Sequence, residues 1–327
     1  MNKRITQLFL CFILSVAFKE VVAQQDAQYS QYMFNSLVIN PAYAGYKESL
    51  NLSLLHRNQW TDVPGAPTTQ SFIADAVVAD GKIGLGLSVV NDKLGIQNQF
   101  SAFANASYRL KVGAESVLAF GLGLGGAQFG INYNKANVDQ PETNINAGRS
   151  SSVVPDARFG IHYSNEKFYA GISTTNLFAK AIDYSTATQD LVVSQGRHFF
   201  LTVGYLLDVS DFLKFKPSFL LREDVKGPTN LDVNNFFLLG EKIWLGASYR
   251  TSLNLWNKPG VVGNVSPSNA VVGLVEFYAG SSFRIGYAYD YSLSKFNGYD
   301  KGSHEFSLGF VLGGGKKNLT ILSPRYF

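Results

Sequence analysis

Residues 282–291 read SFRIGYAYDY, and this stretch decides the fold class of the chain. Every second position is apolar: Phe283, Ile285, Tyr287, Tyr289 and Tyr291. Serine, arginine, glycine, alanine and aspartate fill the positions between them. Successive side chains of a β-strand point to opposite faces, so the stretch predicts one apolar face and one small or charged face. An apolar face with aromatic ends is typical of a strand in a transmembrane β-barrel.

The same alternation recurs along the chain, in runs long enough to cross a membrane. It is clear in residues 83–89, 118–124, 215–221 and 305–310. A tilted transmembrane strand needs about 9–11 residues, and the strands predicted here have about 9–14. Because lipid offers no hydrogen-bond partner to an open strand edge, such a sheet must close into a barrel.

The connectors between the strands alternate in length. Short turns are predicted at 80–81, 112–115, 165–166, 210–211, 241 and 280, and longer connectors at 61–69, 91–95, 134–153, 177–194, 224–228, 252–268 and 294–301. Six short and seven long connectors join fourteen antiparallel strands. Outer-membrane barrels have short periplasmic turns and longer outer loops, so we expect both termini on the short-turn, periplasmic side.

The composition agrees with a barrel in a membrane. Aromatic residues make up 14% of the 327 residues, charged residues only 16%, and the mean hydropathy is +0.01. Soluble domains carry about 25% charged residues. An exported β-sandwich is the alternative, since its strands would also alternate, but the low charge and the connector pattern favour the barrel.

The first residues predict a cleaved export signal. Lys3 and Arg4 precede an apolar run, and Ala23 ends a small-residue cleavage motif. A retained transmembrane helix is disfavoured because the run is shorter than the ~20 residues that a helical span needs. Cys11, the only cysteine, lies in this signal, which excludes disulfides, thiolate metal sites and a cysteine nucleophile from the mature chain. Near-neutral mature charge gives no case for nucleic-acid binding.

We therefore predict four regions. Residues 1–23 are the signal peptide, 24–48 an amino-terminal periplasmic or plug segment, 49–313 an outer-membrane barrel and 314–327 a carboxyl-terminal tail.

No catalytic, cofactor or metal site is predicted. Gly121, Gly123 and Gly126 form a GxGxxG pattern, but alternation continues through it, so the glycines indicate a small-residue stripe facing a crowded lumen or a strand bend. The four histidines lack ligand spacing. The inward carboxylates Asp156, Glu276, Asp290 and Glu305 are expected to form ion pairs with Arg158, Arg250 and Arg284 inside the barrel.

Residues 24–48 do not alternate, yet they are rich in aromatic and apolar side chains. The apolar side chains of such a segment must be shielded from water by another surface. Two covers are equally open: the barrel lumen, which would make the segment a plug, or a partner protein.

The stretch QYSQYMFNSLVINPAYAGY (28–46) is followed by LHRNQW (55–60), a Pro-Gly-Ala-Pro loop (64–67) and a terminal SPRYF. Together they resemble the PorP/SprF family of outer-membrane proteins of the type IX secretion system in Bacteroidetes. The resemblance implies a barrel without enzymatic activity that supports secretion or surface anchoring of adhesin-type cargo with a type-B C-terminal domain, and in some species gliding motility. It also implies association with the periplasmic PorK/PorN ring, in some cases through a peptidoglycan-binding partner.

Two sets of site residues follow. The plug or partner set is Tyr29, Tyr32, Met33, Phe34, Asn40, Pro41, Tyr43 and Gly45. The outer rim or cargo set is Arg57, Gln59 and Trp60. The alternative functions are a channel for small or hydrophobic solutes and a barrel enzyme, although no nucleophile–base pair supports the latter.

Overall fold

The computed structural model of the chain describes residues 28–135, 148–178, 196–225, 227–253, 255, 258, 269–280, 282–294 and 298–312. The predicted signal peptide and carboxyl-terminal tail lie outside these ranges. Fifteen strand segments are described: β1 (Leu50–Asn58), β2 (Thr68–Val78), β3 (Ile83–Leu94), β4 (Gln97–Lys111), β5 (Val117–Asn132), β6 (Arg149–Ser164), β7 (Phe168–Thr175), β8 (His198–Tyr205), β9 (Leu207–Asp208), β10 (Leu213–Asp224), β11 (Thr229–Leu239), β12 (Ile243–Leu253), β13 (Ala270–Ala279), β14 (Phe283–Ser292) and β15 (Ser303–Leu312). In these ranges no helix has the length and apolarity to cross a membrane.

The strands form one closed antiparallel sheet. Each pairs with its neighbours in the chain, and β1 pairs with β15 to complete the circle. The segments β8 and β9 are separated only by Leu206 and both pair with β10, so together they make one crossing. The prediction of an all-β barrel of fourteen antiparallel strands is confirmed.

The barrel has two distinct ends. At the "turn end", short connectors join β2 to β3, β4 to β5, β6 to β7, β9 to β10, β11 to β12 and β13 to β14, and all six lie where they were predicted. Several contain residues with positive φ, such as Asp80 (52°) and Glu241 (56°). The opposite end, where β1 leads to β2 and β14 leads to β15, is called the "loop end".

Two predicted connectors were too long. Residues 91–95 were expected to form a longer connector, yet β3 continues to Leu94 and only Gly95 and Ile96 separate it from β4. Asp92 pairs with Gln99 in the ladder, so polar residues there extend the strand and do not end it. Likewise β6 begins at Arg149, inside the connector predicted for 134–153. The connectors predicted at 177–194 and 252–268 lie largely outside the described residues.

The two faces of each strand have the predicted chemistry. In β14, Arg284 and Asp290 are buried inside the barrel, while Ile285 and Tyr291 are 45% and 47% exposed on the outside. The GxGxxG pattern lies within the single strand β5, as expected, and Gly121 and Gly123 face inwards. The first described strand starts at Leu50 and the last ends at Leu312, while the predicted region boundaries stay predictions.

A buried amino-terminal segment and its two anchors

Residues 28–47, called the "inner segment", lie inside the barrel. Residues 29–47 are buried except for the half-buried Ser36. The segment contains three 3-10 turns, Tyr32–Phe34, Ser36–Val38 and Pro41–Tyr43. Asn40 caps the last of these, since its Oδ1 accepts a hydrogen bond from the Ala42 N–H at 2.9 Å, and Pro41 follows at the first helical position. These short turns satisfy part of the backbone locally, where no β-ladder is available.

The first anchor lies at the loop end and holds Ser30 and Gln31. The backbone N–H groups of both residues donate to the Glu305 carboxylate, at 2.8 and 2.6 Å. The Ser30 hydroxyl donates to Asp290 at 2.7 Å and accepts from Arg57 Nη1 at 2.8 Å. Arg57 itself pairs with Asp290 at 2.7 Å and with Glu305 at 3.1 Å. The segment therefore completes a buried charge network that joins β1, β14 and β15.

A second arginine extends this anchor. Arg250 pairs with Asp232 through Nε and Nη2, at 2.9 and 3.0 Å, and lies 3.5 Å from Asp290. Its Nη2 also donates to the carbonyl of Tyr29 at 3.2 Å. Next to it, Asn234 Nδ2 donates to the Tyr32 hydroxyl at 2.5 Å.

Ion pairs this deeply buried persist only when their remaining hydrogen-bonding capacity is filled. Arg57 is directly opposite Glu305 in the β1–β15 ladder, and Asp232 is opposite Arg250 in the β11–β12 ladder. The backbone of the inner segment supplies additional donors and an acceptor. Part of the expected ion pairing is confirmed, since Arg250 meets Asp290 and Arg284 lies 3.8 Å from Glu276.

The remaining predicted ionic residues take other roles. Arg158 donates to the Val38 carbonyl at 3.2 Å and stacks 3.5 Å above the Phe103 ring, while Asp156 accepts from the Phe178 N–H at 3.1 Å.

The middle of the segment rests on glycines of the barrel wall. A Cβ added to Gly121 would lie 2.1 Å from the backbone N of Ala42, and one added to Gly160 would lie 2.1 Å from Asn40 Oδ1. A Cβ on Gly84 would lie 1.8 Å from the Ala44 carbonyl oxygen. The predicted stripe of small residues facing a crowded lumen is confirmed, and what crowds the lumen is the inner segment.

The second anchor lies at the turn end. The Gly45 N–H donates to Asp75 at 3.0 Å, and Ser107 Oγ donates to the Ala44 carbonyl at 2.7 Å. Lys47 Nζ donates to Asn51 at 3.3 Å. Beyond it, Arg109 pairs with Glu48 at 3.0 Å.

The segment therefore crosses the lumen from the loop end to the turn end before β1 returns through the wall. This corrects the expectation that the leader begins on the short-turn side. That expectation followed from the export signal and from the alternation of short and long connectors. Ser30 is held by Arg57 and Asp290, which lie near the loop ends of their strands, so the chain has already traversed the barrel before β1 starts.

The rim prediction also needs a correction. Arg57 was placed at the outer rim, but it is 2% exposed and pairs inside the barrel, because its odd-numbered position in β1 faces inwards with Ser53 and Leu55. Gln59 and Trp60 are half-buried at the loop end, and their roles as rim residues and in contact with cargo stay predictions.

The connector from Gln59 to Pro67, called the "strap", lies across the loop end and is held by backbone hydrogen bonds. The Trp60 N–H donates to Ser303 Oγ at 3.1 Å. The Thr61 N–H donates to the Gly302 carbonyl at 2.9 Å, and the Thr61 carbonyl accepts from the Lys301 N–H at 3.0 Å. Trp60 has φ of 48°, a strained conformation that these contacts maintain. Further along the strap, the carbonyl of residue 65 accepts from the N–H of residue 95 at 2.8 Å.

Of the plug or partner residues, all eight lie in the inner segment against the barrel wall. Sequence reasoning missed the wall residues that hold them, above all Asp75, Asp232 and Ser107. Each of these is a polar residue on the inward face of its strand, and that parity was the available signal. Among the described residues, no group of three or more potential metal ligands is placed to bind an ion.

Two of the histidines, His162 and His198, contact aromatic or acidic side chains inside the barrel. His162 is buried, and its ring lies 4.2 Å from the Tyr43 ring and 4.9 Å from the Tyr46 ring. His198 Nε2 lies 3.4 Å from Asp224.

The family model described as type IX secretion system membrane protein PorP/SprF matches residues 21–310 of the chain. The chain belongs to this family. The PorP/SprF resemblance seen in residues 28–60 is confirmed, and this family member is an outer-membrane β-barrel. No curated protein sequence matches it.

Several solved structures are similar to this chain. A Pseudomonas aeruginosa FadL homologue is 10% identical with a TM-score of 0.46, and the match covers 86% of this chain and 93% of that one. The CymD monoaromatic hydrocarbon channel is 12% identical with a TM-score of 0.46, covering 89% and 94%. Omp33 of Acinetobacter baumannii is 7% identical with a TM-score of 0.45, covering 81% and 99%.

Proposed function

We propose that this chain is a non-enzymatic outer-membrane component of type IX secretion, which supports secretion or surface anchoring of a cargo protein through the ends of its barrel. The observation that carries the proposal is the inner segment. It fills the lumen and is anchored at both ends, so the ends of the barrel are the surfaces left for partners.

Burial favours the plug over the partner-docking role of this segment. Tyr32, Met33 and Phe34 are each 5–6% exposed, and their contacts are with the barrel wall and with one another. Docking of a ring protein on these side chains requires that the segment first leave the lumen, which breaks both anchors. We therefore assign the predicted contact with the periplasmic PorK/PorN ring, or with a peptidoglycan-binding partner, to the exposed turns.

Short turns face the periplasm in outer-membrane barrels, which puts the ring contact at the turn end and the cargo contact at the loop end. At the loop end, the strap from Gln59 to Pro67 is ordered by hydrogen bonds to residues 95 and 301–303. A half-buried tryptophan on a rigid strap suits binding, since aromatic side chains supply much of the energy of protein interfaces. The expected partner at this loop-end surface is adhesin-type cargo with a type-B C-terminal domain.

The test is affinity purification of the barrel from native membranes with quantitative mass spectrometry. We expect Trp60→Ala with Gln59→Ala to reduce recovery of cargo while ring proteins stay at wild-type level. Lys82→Ala with Asp80→Ala, at an exposed turn, is the matched control and should have the opposite pattern. Equal recovery of both partners by both variants would disprove the assignment of the two ends.

A conductance measurement separates the proposal from the channel alternative. In planar bilayers the intact barrel should be silent, because the inner segment blocks the lumen. Steady conductance, or uptake of small solutes into reconstituted vesicles, would favour the channel.

A further inference from the structure

The outer side of β11 has a polar residue at the middle of its apolar row. From the loop end to the turn end, the outward residues of this strand are Leu231, Val233, Asn235, Phe237 and Leu239. A strand rises about 3.4 Å per residue and tilts by about 40° in such barrels, so Asn235 lies ~10 Å in depth from Leu231 and from Leu239. Its side chain is too short to reach water at either boundary, so the amide faces hydrocarbon.

Other outward polar residues lie nearer to water. His56, Gln70 and Asn91 are each within three residues of the loop end of their strand. Polar side chains at that depth meet lipid headgroups and water. The position of Asn235 at the middle of the apolar band is therefore a different case.

The Asn235 side chain makes no hydrogen bond with the part of the chain that the structure describes. Its cross-strand neighbours are Pro217 in β10 and Ala247 in β12, and neither side chain can donate or accept. An amide has two donor hydrogens and an acceptor oxygen, and leaving them unpaired in hydrocarbon is costly because no water is present there. The amide therefore requires a partner from outside the chain.

The surroundings of Asn235 leave it open to such a partner. Pro217 and Ala247 are short, so they do not cover the amide. Larger apolar side chains surround it at a greater distance, and Phe237, Leu245 and Tyr249 are 41%, 42% and 44% exposed. The outer surface of β10–β12, called the "lateral face", is thus apolar with one polar group at its centre.

We propose that the lateral face is the interface of a homodimer, in which the Asn235 amides of two copies pair with each other. An amide is self-complementary, since it both donates and accepts. Two copies inserted in the same direction are related by a two-fold axis along the membrane normal, and this axis brings a residue of the interface opposite its own counterpart at the same depth. Any other partner would need a matching polar group at that depth, whereas a second copy has one by symmetry.

Hydrogen bonds between polar side chains stabilise association inside membranes, where lipid tails offer no alternative partner. The lateral face contains neither the loop end nor the turn end. The dimer therefore leaves both ends of each barrel accessible, and the proposal does not depend on the function proposed above.

Cysteine cross-linking tests the interface, because Cys11 is the only native cysteine. In native membranes under mild oxidation, Asn235→Cys should form a disulfide-linked dimer that mass spectrometry identifies as two copies of this chain. Ala104→Cys is the matched control, since Ala104 is exposed at the middle of β4, almost opposite β11 in the barrel. We expect a dimer yield several-fold above that of the control and of the wild type. Equal yields, no dimer, or cross-links only to a different protein overturn the proposal.

Removal of the amide tests what holds the two copies together. Asn235→Leu has a similar volume and an apolar side chain that lipid favours, so this variant should insert, and the heat-dependent shift of a folded barrel on an SDS gel checks that it does. Sedimentation equilibrium in detergent should give a dimer dissociation constant about tenfold above that of the wild type. Asn235→Gln keeps a self-complementary amide and should remain closer to the wild type. A monomeric wild type, or an unchanged constant for Asn235→Leu, contradicts the proposal.

Discussion

The two halves of the inner segment are held inside the same barrel by different physical means. Near the loop end, Ser30 and Gln31 are fixed by charge-assisted hydrogen bonds to Arg57, Asp290 and Glu305. Near the turn end, residues 40–45 are fixed by close approach of backbone to glycines, with a few polar bonds to Asp75 and Ser107.

The two halves differ in the kind of interaction that holds them, which is ion pairing and hydrogen bonding in one and close packing in the other. A charge network depends on every member, since removal of one cation leaves buried carboxylates without compensation. Packing against glycines depends on the absence of a side chain, since a close-packed interior has no space for an added methyl group. We expect the first half to respond to changes of charge and the second to changes of volume.

The largest effect is expected from Arg57→Met. The substitution keeps the volume roughly constant and leaves Asp290 and Glu305 buried without their best partner, which should cost about 3–5 kcal/mol of unfolding free energy. Urea titration of the purified barrel in vesicles measures it. Arg57→Lys keeps the charge and should lose much less; equal losses for both would show that charge is not what holds the first half.

The next effect is expected from Gly84→Ala. The new Cβ would lie 1.8 Å from the Ala44 carbonyl oxygen, so the turn-end half of the segment must move or leave. Overpacking of this kind typically costs about 1–3 kcal/mol. Limited proteolysis should then cut between Asn40 and Lys47. Gly273→Ala is the matched control, since an added Cβ there meets nothing within 4 Å, and comparable cleavage in that variant would contradict the packing role of Gly84.

A smaller effect is expected from Asn40→Ala. Asn40 lies where the two halves of the inner segment meet. Its Oδ1 caps the turn at Pro41–Tyr43 and its Nδ2 donates to the Ile161 carbonyl at 3.2 Å. Loss of a cap costs about 1 kcal/mol. Asn40→Ser retains a capping oxygen and should recover most of the stability in the same titration; no recovery would assign the effect to the Ile161 contact.

The smallest effect is expected from Asp208→Asn at the surface of the turn end. Asp208 pairs with Lys167 at 2.9 Å, but both side chains are about half exposed, at 46% and 52%. Surface pairs of this type contribute little and are screened by salt. Urea titration should give the wild-type midpoint. A clear shift would show that charge matters at the turn end as well as at the loop end.

Local periodicity determined much of this molecule. The alternation in residues 282–291 and the matching runs elsewhere specified strand faces, and the positions of the short turns specified strand number and direction. Small residues in β5 indicated a crowded lumen. Each of these features depends only on residues close together in the sequence, because the alternation of side chains is a property of a single strand.

The tertiary structure alone decided how the amino-terminal segment runs and what Arg57 does. Arg57 meets Glu305 across the closing seam of the barrel, 248 positions away in the chain. Its place in the motif LHRNQW indicated a rim residue, while its partners Glu305 and Asp290, which only the closed sheet brings together, put it in the loop-end anchor. The segment itself has no period that gives its direction. Its course through the lumen is fixed by contacts with strands from every part of the wall, which exist only once the barrel has closed.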